Sequence, residues 1–153
     1  MKLISANTAG KTLFNWLFEA THMAEEELRE KIYFAAVARC FPGKNANGGG
    51  DREPDSQEIE RCREFLKAEI SVLKPTLIIA VGKLAIREVL GPAILKKPFK
   101  LTEVIGKKFL VSYHGHNVQV VPLPHPSGIS TWHKMEPGKS LLIKALKIVA
   151  KEV

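Results

Sequence analysis

The stretch Val118-Gln119-Val120-Val121-Pro122-Leu123, running into Pro124-His125-Pro126-Ser127-Gly128, most constrains how this chain can fold. Its β-branched, nearly all-apolar residues predict a buried strand. Prolines then stiffen the loop beyond the strand. Pro124 and Pro126 each remove a backbone donor and restrict the residue before them, so His125 is held rigidly just past the strand end. Loops at the carboxyl ends of parallel strands host the sites of open α/β folds, which makes His125 a candidate for chemistry. A proline-rich loop with an ordinary surface histidine is the alternative.

The rest of the chain supplies elements to surround that strand. Gly10-Lys11 opens a helix expected over Thr12–Thr21, with Leu13, Trp16, Leu17 and Ala20 inward. Met23–Lys31 reads as a short acidic helix. Ile32–Cys40 is apolar on both faces and is expected to be a central strand. Phe41–Pro54, rich in glycine and asparagine and bounded by prolines, must be a loop. Asp55-Ser56-Gln57-Glu58 resembles a capping box. The helix it starts runs to about Leu73, with Ile59, Cys62, Leu66, Ile70 and Leu73 on one stripe, and Lys74-Pro75 stops it. On that apolar stripe Cys62 has the setting of a packed thiol.

Thr76–Val81 is the second buried strand, Gly82 a tight turn, and Lys83–Leu90 a helix ended by Gly91-Pro92. Residues 93–107 are irregular and basic. Phe109–Tyr113 and Val118–Leu123 flank His114-Gly115-His116-Asn117, which has hairpin-turn chemistry. Gly138–Glu152 is an amphipathic helix with Leu141, Leu142, Ala145, Ile148 and Val149 inward. The alternation predicts a three-layer α/β/α fold with a mainly parallel central sheet, forming one domain over residues 1–153.

Charge narrows the partner. The net charge is +7. Residues 1–82 carry 11 Lys/Arg against 12 Asp/Glu, whereas residues 83–153 carry 12 against 4, so the half with His125 holds all of the excess. That asymmetry suits a polyanion, nucleic acid before membrane. Lysines 144, 147 and 151 read as the solvated back of the last helix. No apolar run approaches the ~20 residues of a membrane span, and no signal-peptide core opens the chain. Two cysteines make no disulfide framework, so a reduced, cytoplasmic protein without membrane association is expected.

Two motifs invite other readings. Ser5-Ala6-Asn7-Thr8-Ala9-Gly10-Lys11-Thr12 is one residue short of a phosphate-binding P-loop, with Ser5 where the first glycine belongs. A P-loop needs a strand before it and an Asp-ended strand to hold magnesium. Met1–Ile4 is barely a strand, and Thr76–Val81 ends in Gly82. Nucleotide hydrolysis is therefore a distant third function. His114 and His116 could share a metal, but the sequence shows no third ligand for them.

Taken in order, several segments resemble the uracil-DNA glycosylase superfamily, closest to its bacterial and archaeal branches that include iron–sulfur members. Ala6-Asn7-Thr8-Ala9-Gly10-Lys11-Thr12-Leu13 is similar to the family's Gly-x-Ala-Gly-Lys-x-Leu helix start. Val37-Ala38-Arg39-Cys40-Phe41-Pro42-Gly43-Lys44, with Glu60-Arg61-Cys62-Arg63-Glu64-Phe65-Leu66 after it, resembles the part that holds two cluster cysteines. Lys74–Gly82 and Pro124-His125-Pro126-Ser127-Gly128 match the next strand and the His-Pro-Ser motif. The resemblance covers nearly the whole chain.

It implies hydrolysis of the N-glycosidic bond of uracil or a related damaged base flipped out of DNA. His125 would donate to the base oxygen where charge develops. Gly10, Lys11, Pro124, Pro126, Ser127 and Gly128 would press the DNA backbone, and Ile129 or Trp132 would fill the vacated stack. A core position is the other reading of Trp132. Ile4 and Ala36 stand where the family places a stacking Phe and a base-reading Asn, which puts strict uracil specificity in question. The family's upstream Gly-x-Ala-Pro-Gly does not occur in this sequence. A 4Fe-4S cluster expects four cysteines, of which Cys40 and Cys62 match two. The expected partner is DNA and the expected state a monomer. A DNA- or nucleobase-binding relative without turnover is the alternative function.

Overall fold

A computed structural model describes residues 9–153. Ile4 and the first half of the P-loop-like segment, residues 5–8, lie outside the described residues. The chain begins with α1 (Ala9–Thr21), which buries Phe14, Trp16 and Leu17, and α2 (Glu25–Lys31), which buries Leu28. α3 (Ser56–Leu73) starts at the expected capping box: the Asp55 carboxylate accepts from the Gln57 and Glu58 amides, and Glu58 accepts from the Asp55 amide at 2.8 Å. It ends at Lys74, in left-handed backbone (φ 44°), ahead of Pro75.

Beyond Pro75 lies β1 (Leu77–Val81), then α4 (Gly82–Ile94), whose helical path breaks at Gly91 where φ is 67°. A four-residue helix, α5 (Leu101–Val104), interrupts the segment expected to be irregular. β2 (Phe109–Tyr113) and β3 (His116–Leu123) form the expected hairpin. Its two turn residues, His114 and Gly115, have φ of 50° and 77°. Positive φ at both positions makes a type I′ turn, whose twist matches the strands it joins. α6 (Gly138–Glu152) closes the chain, burying Leu142, Ala145, Leu146 and Val149.

The α/β class holds, but the sheet is smaller and more mixed than the sequence predicts. Its order is β1-β3-β2. β1 runs parallel to β3, pairing Leu77 with Gln119 through Val81 with Leu123, while β2 runs antiparallel to β3. The apolar run ahead of His125 is thus the middle strand, and Val118, Val120, Val121 and Leu123 are fully buried. α4 packs on all three strands, α6 on β3, and α1 on α6.

One expected element is missing. Ile32–Cys40 forms no strand and is largely exposed. Its apolar composition signals burial, but among the described residues nothing pairs with it, and a strand is defined by its partner. Leu73, expected inward, is also exposed. Among the described residues, no helix is long and apolar enough to cross a membrane.

Candidate functional site

His125 stands where β3 ends, between two prolines that are themselves buried while the imidazole faces solvent. Its orientation is fixed from both sides. The Ser127 amide donates to Nδ1 at 3.2 Å. A ring nitrogen that accepts carries no proton, so in the neutral ring the proton sits on Nε2, which becomes the outward donor. From the other side, Gly82 lies against the ring: a Cβ there would stand 3.1 Å from His125 Cδ2. Gly82 also has φ of 85°, a backbone that favours glycine, and a Cβ there would press on the imidazole.

That contact brings the start of a helix to the histidine. Gly82 is the first residue of α4, and Val81 before it provides no side-chain cap. The start of α4, the positive end of its dipole, therefore lies beside the imidazole. An imidazole N–H and an uncapped helix N-terminus suit the same kind of ligand, one bearing negative charge on oxygen. In the sequence Gly82 is legible only as a turn. Its contact with His125 depends on the parallel pairing that sets Val81 beside Leu123.

The loop after His125 separates the two residues expected at its tip. Ile129 is 84% exposed. Trp132, in a short 3-10 turn, is half-buried and packs on the core. A Cβ at Gly138 would run into the Trp132 carbonyl oxygen and stand 2.8 Å from its ring, so α6 must begin with glycine for this indole to pack. His133 is buried with its ring edge-on to Trp16, centroids 5.0 Å apart. Burial, then the Lys134 charge, hold its pKa below the ordinary value of 6.5.

The other expected residues are dispersed. Gly10 and Lys11 sit in the first turn of α1. Ala36 is exposed in the unpaired segment. His116 Nε2 donates to the Pro75 carbonyl at 2.9 Å, which leaves it no metal role through that nitrogen. Cys62 is buried on α3 and accepts from the Arg39 amide at 3.3 Å, which brings the exposed Cys40 near it. These are the two cysteines of the sequence, and no group of three or more His, Cys, Asp and Glu is placed to hold a metal among the described residues. The residues present do not fit a four-thiolate cluster.

Acidic and basic side chains with no motif to mark them in the sequence tie α3 to the sheet. Arg63 grips Glu88 of α4 with two bonds of 2.9 and 3.0 Å, and Tyr113 of β2 donates to the same carboxylate at 3.4 Å. Desolvation and the nearby Glu88 charge push the Tyr113 phenol well above its usual range. The Glu88 carboxylate in turn raises the Arg63 guanidinium.

The comparisons with known proteins fit this arrangement. The profile of the Uracil DNA glycosylase superfamily matches residues 5–148. This chain belongs to that superfamily. It is 27% identical to the type-4 uracil-DNA glycosylase of Archaeoglobus fulgidus over 66% of the chain and 47% of that relative. To the type-4 uracil-DNA glycosylase of Pyrobaculum aerophilum it is 30% identical, over 66% of the chain and 48% of the relative. A DNA polymerase of Bacillus phage SP01 is 30% identical over 61% of the chain, which spans only 10% of that protein. The chain spans about half the length of the uracil-DNA glycosylases it matches. Sequence similar to this chain therefore also occurs inside a far larger polypeptide.

Proposed function

We propose that this chain carries the leaving-group side of a DNA glycosylase site, acting on cytoplasmic DNA in base excision repair. The observation that carries the reading is the Ser127 amide on His125 Nδ1, which leaves Nε2–H pointing outward as a donor. As the N-glycosidic bond of a flipped uracil or related base breaks, both electrons leave with the base. Negative charge then grows on a base oxygen. His125 Nε2–H donates to that oxygen, and the α4 N-terminus adds its dipole. The sugar, left electron-poor, bonds to the oxygen of a water, whose proton passes through solvent to the departed base anion.

The loop supports a matching division of labour on DNA. Pro124 and Pro126 hold the backbone, Ser127 and Gly128 present small residues to a phosphate, and Ile129 enters the stack as the base departs. Trp132 holds the base of that loop on α6 and keeps its indole in the protein. The basic surplus after residue 82 supplies attraction to the polyanion. A second reading, DNA binding without turnover, is favoured by the position of Ala36, exposed and carrying no amide with which to read a base.

The test is base release from a uracil-containing oligonucleotide, single- and double-stranded. His125→Ala should lower the rate about 10²- to 10³-fold, the loss typical of one oxyanion donor, with DNA affinity nearly unchanged. Ile129→Ala should slow the duplex reaction more than the single-strand one, since only the duplex has a stack to fill. Equal rates for wild type and His125→Ala would sink the proposal. Salt-sensitive binding with no release by either protein would establish the second reading.

A further inference from the structure

The loop beyond His125 carries a concave surface that the leaving-group chemistry does not use. A cleft of about 290 Å³ opens where the 3-10 turn meets the start of α6, lined by Thr131, Trp132, Met135, Glu136, Pro137 and Gly138. That volume is at the lower limit for a small-molecule site, with room for one flat ring system. Its floor depends on Gly138, since a Cβ there would stand 2.8 Å from the Trp132 ring and overlap the Trp132 carbonyl oxygen.

The lining suits a nucleobase in three respects. Trp132 is half-buried, so its indole is anchored on the core yet borders the cleft. Met135 beside it is 64% exposed, a large apolar side chain kept in water. Indole and thioether both take flat aromatic ligands. The rim is polar with spare capacity: Glu136 accepts only a long bond of 3.4 Å from the Ser140 amide, and the Thr131 side chain caps no helix amide. A carboxylate accepts and cannot donate, so it selects a base that offers an amino group. Lys134 and Lys139, which flank the lining residues in sequence, are exposed and make no ion pair among the described residues. Ammonium groups at those positions suit the phosphates on either side of such a base.

We propose that this cleft binds an unpaired DNA base neighbouring the flipped one in its strand, and takes cytosine or another amino-bearing base in preference to thymine. The inference rests on the reading of the His125 loop as the DNA-facing surface, and it gives that site a sequence context. The cleft lies on the same loop as His125 and Ile129, and a neighbouring nucleotide of the bound strand is the ligand that loop brings to it. Stacking on Trp132 accepts any base. The Glu136 rim is what discriminates.

Binding of short uracil-free single strands of deoxycytidine and of thymidine to the full chain tests this, read by anisotropy of labelled strands and by indole fluorescence. The deoxycytidine strand should bind at least about fivefold tighter, the lower end for one specific base contact, and should quench the indole emission. Trp132→Phe should keep the preference and lose the quenching, because the other indole, Trp16, is buried in the core. Glu136→Gln adds a donor to the rim at the same size. It should bring the two strands to equal affinity while the far-UV circular dichroism and Tm stay close to wild type. Equal affinities in the wild type, a preference that survives Glu136→Gln, or quenching that survives Trp132→Phe would each overturn the inference. Uracil release from single strands with cytosine or thymine beside the uracil separates this failure from that of the glycosylase reading. Release at a rate indifferent to the neighbour overturns the inference alone. A cytosine preference in binding without release overturns the enzyme reading and leaves the cleft assigned.

Discussion

The chain after Pro75 and the chain from Ile32 to Leu73 bury their apolar residues to different degrees. After Pro75, the middle strand β3 is paired on both sides, covered by α4 and α6, and holds five side chains fully out of water. From Ile32 to Leu73, a helix of 18 residues and a strongly apolar segment bury two helix side chains between them and leave aromatic rings exposed. Hydrophobic content does not separate the two regions; the availability of a second surface does. What holds the earlier region in place is polar: Arg63 on Glu88, Arg39 and Tyr33 on Glu69, and Arg52 bridging Glu58 and the Pro42 carbonyl. Pairs that stay partly exposed contribute little each, so geometry there rests on several weak ties.

Truncation should expose that difference most strongly. Leu123 is fully buried at the end of β3, and Leu123→Ala removes packing that cannot collapse, costing about 2–5 kcal/mol. Phe65 is 58% exposed on α3, its ring under the Arg39 guanidinium at 5.6 Å. Phe65→Ala should cost less than about 1 kcal/mol, the scale of an exposed cation–π contact. Urea unfolding of both variants measures the contrast. Equal losses would mean that the two regions share one core.

The sequence is most legible where local chemistry decides the outcome. Asp55 and Glu58 announce a helix start that forms bond for bond, and His114-Gly115 fits only a turn that both strands tolerate. The β3 run and its terminal prolines likewise place His125 with no knowledge of the rest. Ile32–Cys40 misleads because an apolar run reports that burial is favourable, not what provides it. The Gly82 contact is illegible for another reason: it exists only because parallel pairing carries the end of β1 to the end of β3. Leu146 and the Arg63–Glu88 pair are of the same kind, set by which elements meet.

The Gly82 contact offers the next largest effect, one confined to the well-packed half. Gly82→Ala places a Cβ 3.1 Å from the His125 ring and at a φ of 85°. The backbone strain alone costs about 1–3 kcal/mol. The imidazole must also give by a few tenths of an ångström, which weakens its bond from the Ser127 amide. In ¹⁵N spectra of the imidazole, the wild type should show Nδ1 as an unprotonated acceptor in the neutral ring, and the variant should lose that preference. A variant that is destabilised yet keeps the wild-type imidazole signals would reduce Gly82 to a turn residue without a hold on the histidine.

The smallest effect comes from His133, buried beneath the loop beyond His125. Its pKa in the folded protein lies below 6.5, first because burial penalises the charged ring and then because Lys134 is near. In the unfolded chain the ring titrates at its ordinary value, so as pH falls below 6.5 the unfolded state takes up the proton before the folded state does. Stability from this group is therefore complete above that pH and declines as pH falls toward the folded value. The Tm of the wild type should drop through this range, and His133→Phe, which keeps an aromatic ring against Trp16 and titrates nothing, should drop less. Because His133 ties α1 to the Trp132 turn, its protonation should loosen the His125 loop and leave Ile32–Leu73 unaffected. Hydrogen exchange below the ordinary histidine pKa that speeds up in both regions alike would show that the two halves unfold as one unit, and the contrast between them would then be one of packing alone.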